Sequence, residues 1–226
     1  MYRAQPASKE QFKKLHEIIE EISKKAEIPK PKIYVLPIEN PNAFATGRNP
    51  KHSAVAVTQG IMNLLNEREL KGVISHELSH IKNRDTLIQT IAVSVAGVIS
   101  YVAMIARWSA IFGGFGNDEN NSFAELLVLA VVTPLIAMLI QLSISRSREY
   151  LADESGAKLL KDGKPLADAL EKLEKGNQIK PLKADSKSPT SSLFIINPFK
   201  KQGLMSLLST HPSTEQRIKR LKGFEF

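Results

Sequence analysis

Residues 76–80 read His-Glu-Leu-Ser-His. On a helix, positions four apart lie on one face, so His76 and His80 can present two imidazole nitrogens to a single metal ion. Glu77 is rotated about 100° from His76. It stands beside that ion, where its carboxylate can take a proton from a water that the metal has acidified. Zinc-activated water attacking an amide carbonyl is the chemistry this arrangement supports. A catalytic zinc needs a third protein ligand and an open fourth position. The chain has five histidines and no cysteine. Disulfides are therefore excluded, and a cysteine-free zinc site points to catalysis rather than structure. The third ligand must come from His16, His52, His211 or a carboxylate.

The elements around the motif narrow that choice. Thr86 to Ala106 and Leu126 to Ser145 carry no charged residue and are mostly apolar. Each run has the length, about 20 residues, that a helix needs to cross roughly 30 Å of hydrocarbon. Pro134, in the second run, is tolerated in a membrane helix, and Ser94, Ala96, Gly97 and Ser100 permit close helix packing. A soluble domain of this length has little room to bury both. Lys82 and Arg84 precede the first run, and Arg146 and Arg148 follow the second, while the connection is acidic at Asp118, Glu119 and Glu125. Basic flanks stay in the cytoplasm. The pair reads as a transmembrane hairpin with a short outer loop around Phe112-Gly113-Gly114-Phe115-Gly116. Residues 1–85 and 146–226 then share the cytoplasmic side. Met1 to Gln11 shows no apolar signal-peptide core.

A hairpin brings the segment just after it back to the segment just before it. Glu149 follows the second run as closely as His80 precedes the first, which singles it out as the third ligand. Asp153 lies on the same helix face, four residues on, where a carboxylate can orient a ligating histidine.

The rest of the chain reads as α+β, mainly helical, with a small sheet. Ser8 with Gln11 suggests a capped amphipathic helix over 8–27, with Phe12, Leu15, Ile18, Ile19 and Ile22 on one face. Ile33–Leu36, Ala43–Thr46 and Ser53–Thr58 read as short strands separated by turn residues. Asn66 with Glu69 caps the helix that carries the histidines, which runs almost directly into the first span. Helices are expected over 148–160, 165–175 and from Ser213, and 176–201 reads as a long loop.

Four blocks carry a family resemblance. They are Asn42-Ala43-Phe44-Ala45-Thr46-Gly47, Leu70 through His80, Ser147-Arg148-Glu149-Tyr150-Leu151-Ala152-Asp153, and Thr210-His211-Pro212-Ser213-Thr214-Glu215-Gln216-Arg217-Ile218. In this order they resemble the HtpX-type membrane zinc metalloproteases, relatives of the type I CAAX prenyl proteases. The resemblance implies a zincin-type domain around one zinc ion, with His76, His80 and Glu149 as ligands and Glu77 as base. It implies Asp153 and Arg217 behind the ligands, and His211 holding the developing oxyanion. It implies that Asn42 and the strand containing Ala54, Val55, Ala56 and Val57 form the edge that pairs with an extended peptide. Family members usually carry two further spans before the part matching Tyr2–Pro6, where this sequence begins.

The expected protein is a multi-pass endopeptidase of the cell membrane, its site facing the cytoplasm, acting on misfolded or membrane polypeptides. The formal net charge of +8 fits an anionic membrane surface. No base-reading motif accompanies it, which argues against a nucleic-acid partner. A prenyl-type protease is the same chemistry on another substrate. A silent membrane adaptor has no physical need for Glu77.

Overall fold

Apolar residues at helical spacing build α1, Lys13–Ala26, whose Leu15, Ile18, Ile19 and Ile22 are buried. The Ser8 hydroxyl accepts from Gln11 N as expected, yet the regular helix starts only at Lys13. The computed structural model describes residues 4–112, 121–179 and 212–224, with side chains left undescribed at 109–131 and 177–179. It divides into two units, 1–87 with 146–226, and 88–145.

In the first unit, three expected strands form, β2 (Lys32–Leu36), β3 (Ala43–Asn49) and β4 (His52–Thr58), and a two-residue β1 (Gln5–Pro6) joins them. The order is β1-β2-β4-β3, with β4 parallel to β2 and antiparallel to β3. This corrects one expectation. Ala54, Val55, Ala56 and Val57 are not an edge, because β4 is hydrogen-bonded on both sides. The edge strands are β1 and β3, and β3 is the one beside α3. Alternation along β4 explains the placement: Val55 and Val57 are fully buried, as the central strand requires.

Thr58 caps α2 (Gln59–Leu64), its hydroxyl accepting from Ile61 N. The helix α3 (Glu67–Lys82) opens with a complete capping box. Asn66 accepts from Glu69 N at 2.9 Å, and Glu69 accepts from Asn66 N at 2.9 Å. Its Val73, Ile74 and Leu78 are fully buried among α1, the sheet and α6 (Lys164–Ile179). The last helix, α7 (Thr214–Lys222), is capped by Ser213 and packs on α6. At Gly72 an added Cβ would lie 2.5 Å from Leu166 N, so only glycine lets α3 and the start of α6 approach this closely.

The second unit comprises most of α4 (Asp85–Phe112) and the first part of α5 (Asn121–Leu160). α3 does not run into α4: Asn83 and Arg84 break it, with Arg84 at φ 53°. Asp85–Trp108 is long and apolar enough to cross a membrane, with mean hydropathy 1.9, and only 6% of its 18-residue apolar window is buried. The second expected span lies within α5, which continues through Pro134. Its described part exposes Leu135, Ile136, Leu139 and Ile140. The expected outer loop at 113–116 and most of the expected loop at 176–201 lie outside the described residues. So does His211.

Candidate metal centre

α3 places His76 and His80 side by side, with Nε2 atoms 3.1 Å apart and rings crossing at 84°. α5 brings Glu149 to them, one carboxylate oxygen 3.8 Å from His76 Nε2 and the other 3.7 Å from His80 Nε2. All three residues offer a donor atom within 4.8 Å of the other two. The helices come this close because residue 156 is glycine. A Cβ there would stand 3.0 Å from His76 N.

Behind each histidine stands an aspartate, and behind each aspartate an arginine. Asp153 Oδ1 lies 2.9 Å from His76 Nδ1, and Asp85 Oδ2 lies 2.6 Å from His80 Nδ1. Arg217 donates to Asp153 through Nε at 2.8 Å and Nη2 at 2.7 Å, and its Nη1 lies 3.3 Å from Glu149. Arg148 holds Asp85 and also donates to the carbonyl of Asn83 at 3.0 Å. At His80 the hydrogen bond to Asp85 fixes the proton on Nδ1 and turns the Nε2 lone pair outward, whereas at His76 Asp153 lies within ion-pair distance of Nδ1 without a hydrogen bond of good geometry. The two Nε2 atoms and the Glu149 carboxylate then converge, with Arg217 Nη2 also 3.4 Å from His76 Nε2. Asp153 and Arg217, expected behind the ligands, lie beside His76 and Glu149. Asp85 and Arg148 were not anticipated. Their signal was a lone carboxylate at the very start of an apolar run, five residues past His80.

This donor set fits a zinc ion on two counts. Nitrogens bound to one tetrahedral zinc at about 2.0–2.1 Å stand roughly 3.3 Å apart, close to the 3.1 Å here. The buried carboxylates Glu77, Asp85, Glu149 and Asp153 outnumber the guanidiniums of Arg148 and Arg217 by two. A dication balances that excess where burial would otherwise penalise it.

Glu77 is buried beside the histidines and accepts a hydrogen bond from Ala45 N of β3 at 2.8 Å. Burial pushes its carboxyl above the ordinary value, against the pull of His76 and His80. A carboxylate of raised basicity suits a general base. Asp153 shows the opposite balance: burial raises its carboxyl, but the charges of Arg217 and His76 outweigh that and hold it low. Asn42 is buried where β3 begins, its backbone tied to Thr58. His16 and His52 are held elsewhere, His16 by the Ala7 carbonyl and His52 by Asn49.

Two helical histidines, an acid between them and a carboxylate from a second helix define the site class of the metallopeptidases. The model of peptidase family M48 matches residues 9–225. The HtpX protease homologue of Aquifex aeolicus is 50% identical over 98% of this chain and 74% of its own length. That of Pyrococcus furiosus is 51% identical over 98% of this chain and 76% of its own. Ste24p of S. mikatae shares the fold, with a TM-score of 0.63 at 20% identity, over 97% of this chain and about half of that one, 52%. The chain belongs to peptidase family M48, among the HtpX proteases.

Proposed function

We propose that the chain is a membrane-attached endopeptidase holding one zinc ion on His76 Nε2, His80 Nε2 and the Glu149 carboxylate. The observation that carries this is the convergence of those atoms, with an aspartate oxygen 2.9 Å from His76 Nδ1 and another 2.6 Å from His80 Nδ1. A zinc ion held there would supply Lewis acidity, which would polarise the scissile carbonyl and acidify a water to a pKa of about 7. Glu77 takes the water's proton and passes it to the leaving amine. Asp85 keeps His80 in the tautomer that binds, and Asp153 stands beside His76 Nδ1.

Peptide substrate lies along β3. The Asn42–Thr58 bonds set the alternation of the β3–β4 ladder, which leaves Ala43, Ala45 and Gly47 with N–H and C=O groups facing the open edge. Ala45 N already points at Glu77 rather than at β4. An edge of this kind recognises extended backbone rather than a particular side chain. It therefore selects unfolded segments. The apolar α4 and the basic residues flanking both apolar runs favour membrane-protein segments at the cytoplasmic face. His211 remains a candidate for the oxyanion on sequence resemblance alone. Nothing in the site favours a silent adaptor, which would not need a base.

Glu77→Gln tests the mechanism. The variant is expected to keep about one equivalent of zinc and to cleave unfolded casein roughly a hundred- to ten-thousandfold more slowly. Cleavage at the parent's rate would sink the proposal. So would a parent protein that takes up less than half an equivalent of zinc when zinc is supplied.

A further inference from the structure

A small crevice of about 10 Å³ lies between the end of α3 and the open edge of β3, lined by His80, Ala45, Gly47, Arg48, Asn49 and Arg84. His80 lies at one end. The far end is basic, and two backbone irregularities shape it. The β3–β4 register shifts between Gly47 and Asn49, with Gly47 at φ 153°. A Cβ at Gly47 would stand 2.5 Å from His52 O, so the bulge depends on glycine. Such bulges bend a strand and re-aim the side chain beside them, here Arg48. Facing it, Arg84 occupies the left-handed region, which bulky residues rarely adopt.

Both arginine side chains are exposed. Among the described residues, neither guanidinium has a hydrogen-bond or ion-pair partner. By contrast Arg68, Arg148 and Arg217 each hold a carboxylate. The acid next to Arg84, Asp85, is already taken by His80 and Arg148. Two free guanidiniums thus flank the path that substrate backbone follows away from Glu77.

We infer that Arg48 and Arg84 form a carboxylate-binding subsite about three residues from the scissile bond. Arg48 lies three positions along β3 from Ala45, and a paired peptide advances at the same roughly 3.3 Å per residue. The carboxylate comes from an Asp or Glu side chain or from the substrate's own C-terminus. The planar fork of arginine suits either. This inference rests on the reading of β3 as the substrate edge.

The test uses the zinc-loaded chain in detergent and internally quenched peptides of one parent sequence. Glu, Gln or Lys is placed at each position from four before to four after the scissile bond, and a second series carries a free or amidated C-terminus. One position, or the free terminus, is expected to raise kcat/KM roughly five- to twentyfold over its neutral twin, as two exposed charge pairs allow. The ratio should fall toward one at high salt, because exposed pairs are screened. In the double variant Arg48→Glu, Arg84→Glu the preference should invert in favour of Lys. A parent ratio near one at every position and with either terminus overturns the subsite alone. A double variant that keeps the parent's ratio also overturns it. If that variant instead loses binding to vesicles containing phosphatidylglycerol, the arginines are lipid contacts. A parent that binds zinc but cleaves none of the peptides overturns the strand-edge reading and the subsite together.

Discussion

At the scale of residues, the centre is two parallel chains of Arg, Asp and His meeting at one point. Their electrostatics make metal binding a competition with protons. Burial lowers the His80 pKa, but the bond to Asp85 and the charges of Glu149 and Glu77 outweigh it and raise it to about 9. A raised histidine pKa means that its proton stabilises the metal-free fold. That contribution is full below the usual 6.5 and is lost as pH rises through about 9. A zinc ion bound at His80 would have to expel the same proton. Apparent zinc affinity should therefore climb about tenfold per pH unit from pH 7 toward 9 and then flatten. Chelator competition across pH measures the slope, and a flat profile would contradict the account. Asp85→Asn removes the carboxylate that orients His80. It is expected to weaken zinc about 10- to 100-fold, with the far-ultraviolet circular dichroism unchanged. Equal affinity in the variant would show that Asp85 only serves the helix start.

The elements matter through how closely they approach. α3 and α5 must meet near His76 for Glu149 to reach the histidines, and glycine at 156 permits it. Gly156→Ala puts a methyl 3.0 Å from the backbone of the ligand residue. Because the nearest atoms are His76 N and Ser75 C, backbone has to move. The expected cost is about 1–3 kcal/mol, seen as a lower melting temperature together with weaker zinc binding. A variant with the parent's melting temperature and zinc affinity would show that the contact relaxes freely. The edge strand is the other decisive element. Its identity follows from pairing order, which neither hydrophobic pattern nor turn residues announce. β3 and β4 both read as short strands, and the more apolar β4 is the one the sheet buries.

For the whole molecule, the apolar helix α4 sets behaviour in solution. Val98, Tyr101, Val102 and Ile91 are each more than half exposed. A continuous apolar surface of that length needs lipid or detergent to cover it. In a density gradient the protein should float with phospholipid vesicles and stay with them through high salt and alkaline wash. Recovery in the aqueous fraction after either wash would argue against a spanning helix.

How much of this was legible in the chain follows from the range of each interaction. His76, Glu77 and His80 are local: helical period alone puts the two imidazoles on one face and the acid beside them, and the capping box at Asn66 confines the helix that does so. The apolar runs and their basic flanks are also local, as are the strands and the Ser213 cap. Glu149 and Asp153 were reachable because the expected hairpin returns the chain to its start, a simple topological constraint. What the sequence could not decide were the pairings made across the fold. Asp85 meets His80 only because Arg84 turns the chain between α3 and α4. Arg148 is committed to Asp85, and Arg217 to Asp153 and Glu149. β3 rather than β4 is the edge strand because strand order is set by how the sheet buries its most apolar member. Residue type and spacing determined which atoms can do the chemistry; tertiary packing decided which charges hold those atoms in place and which backbone remains open beside them.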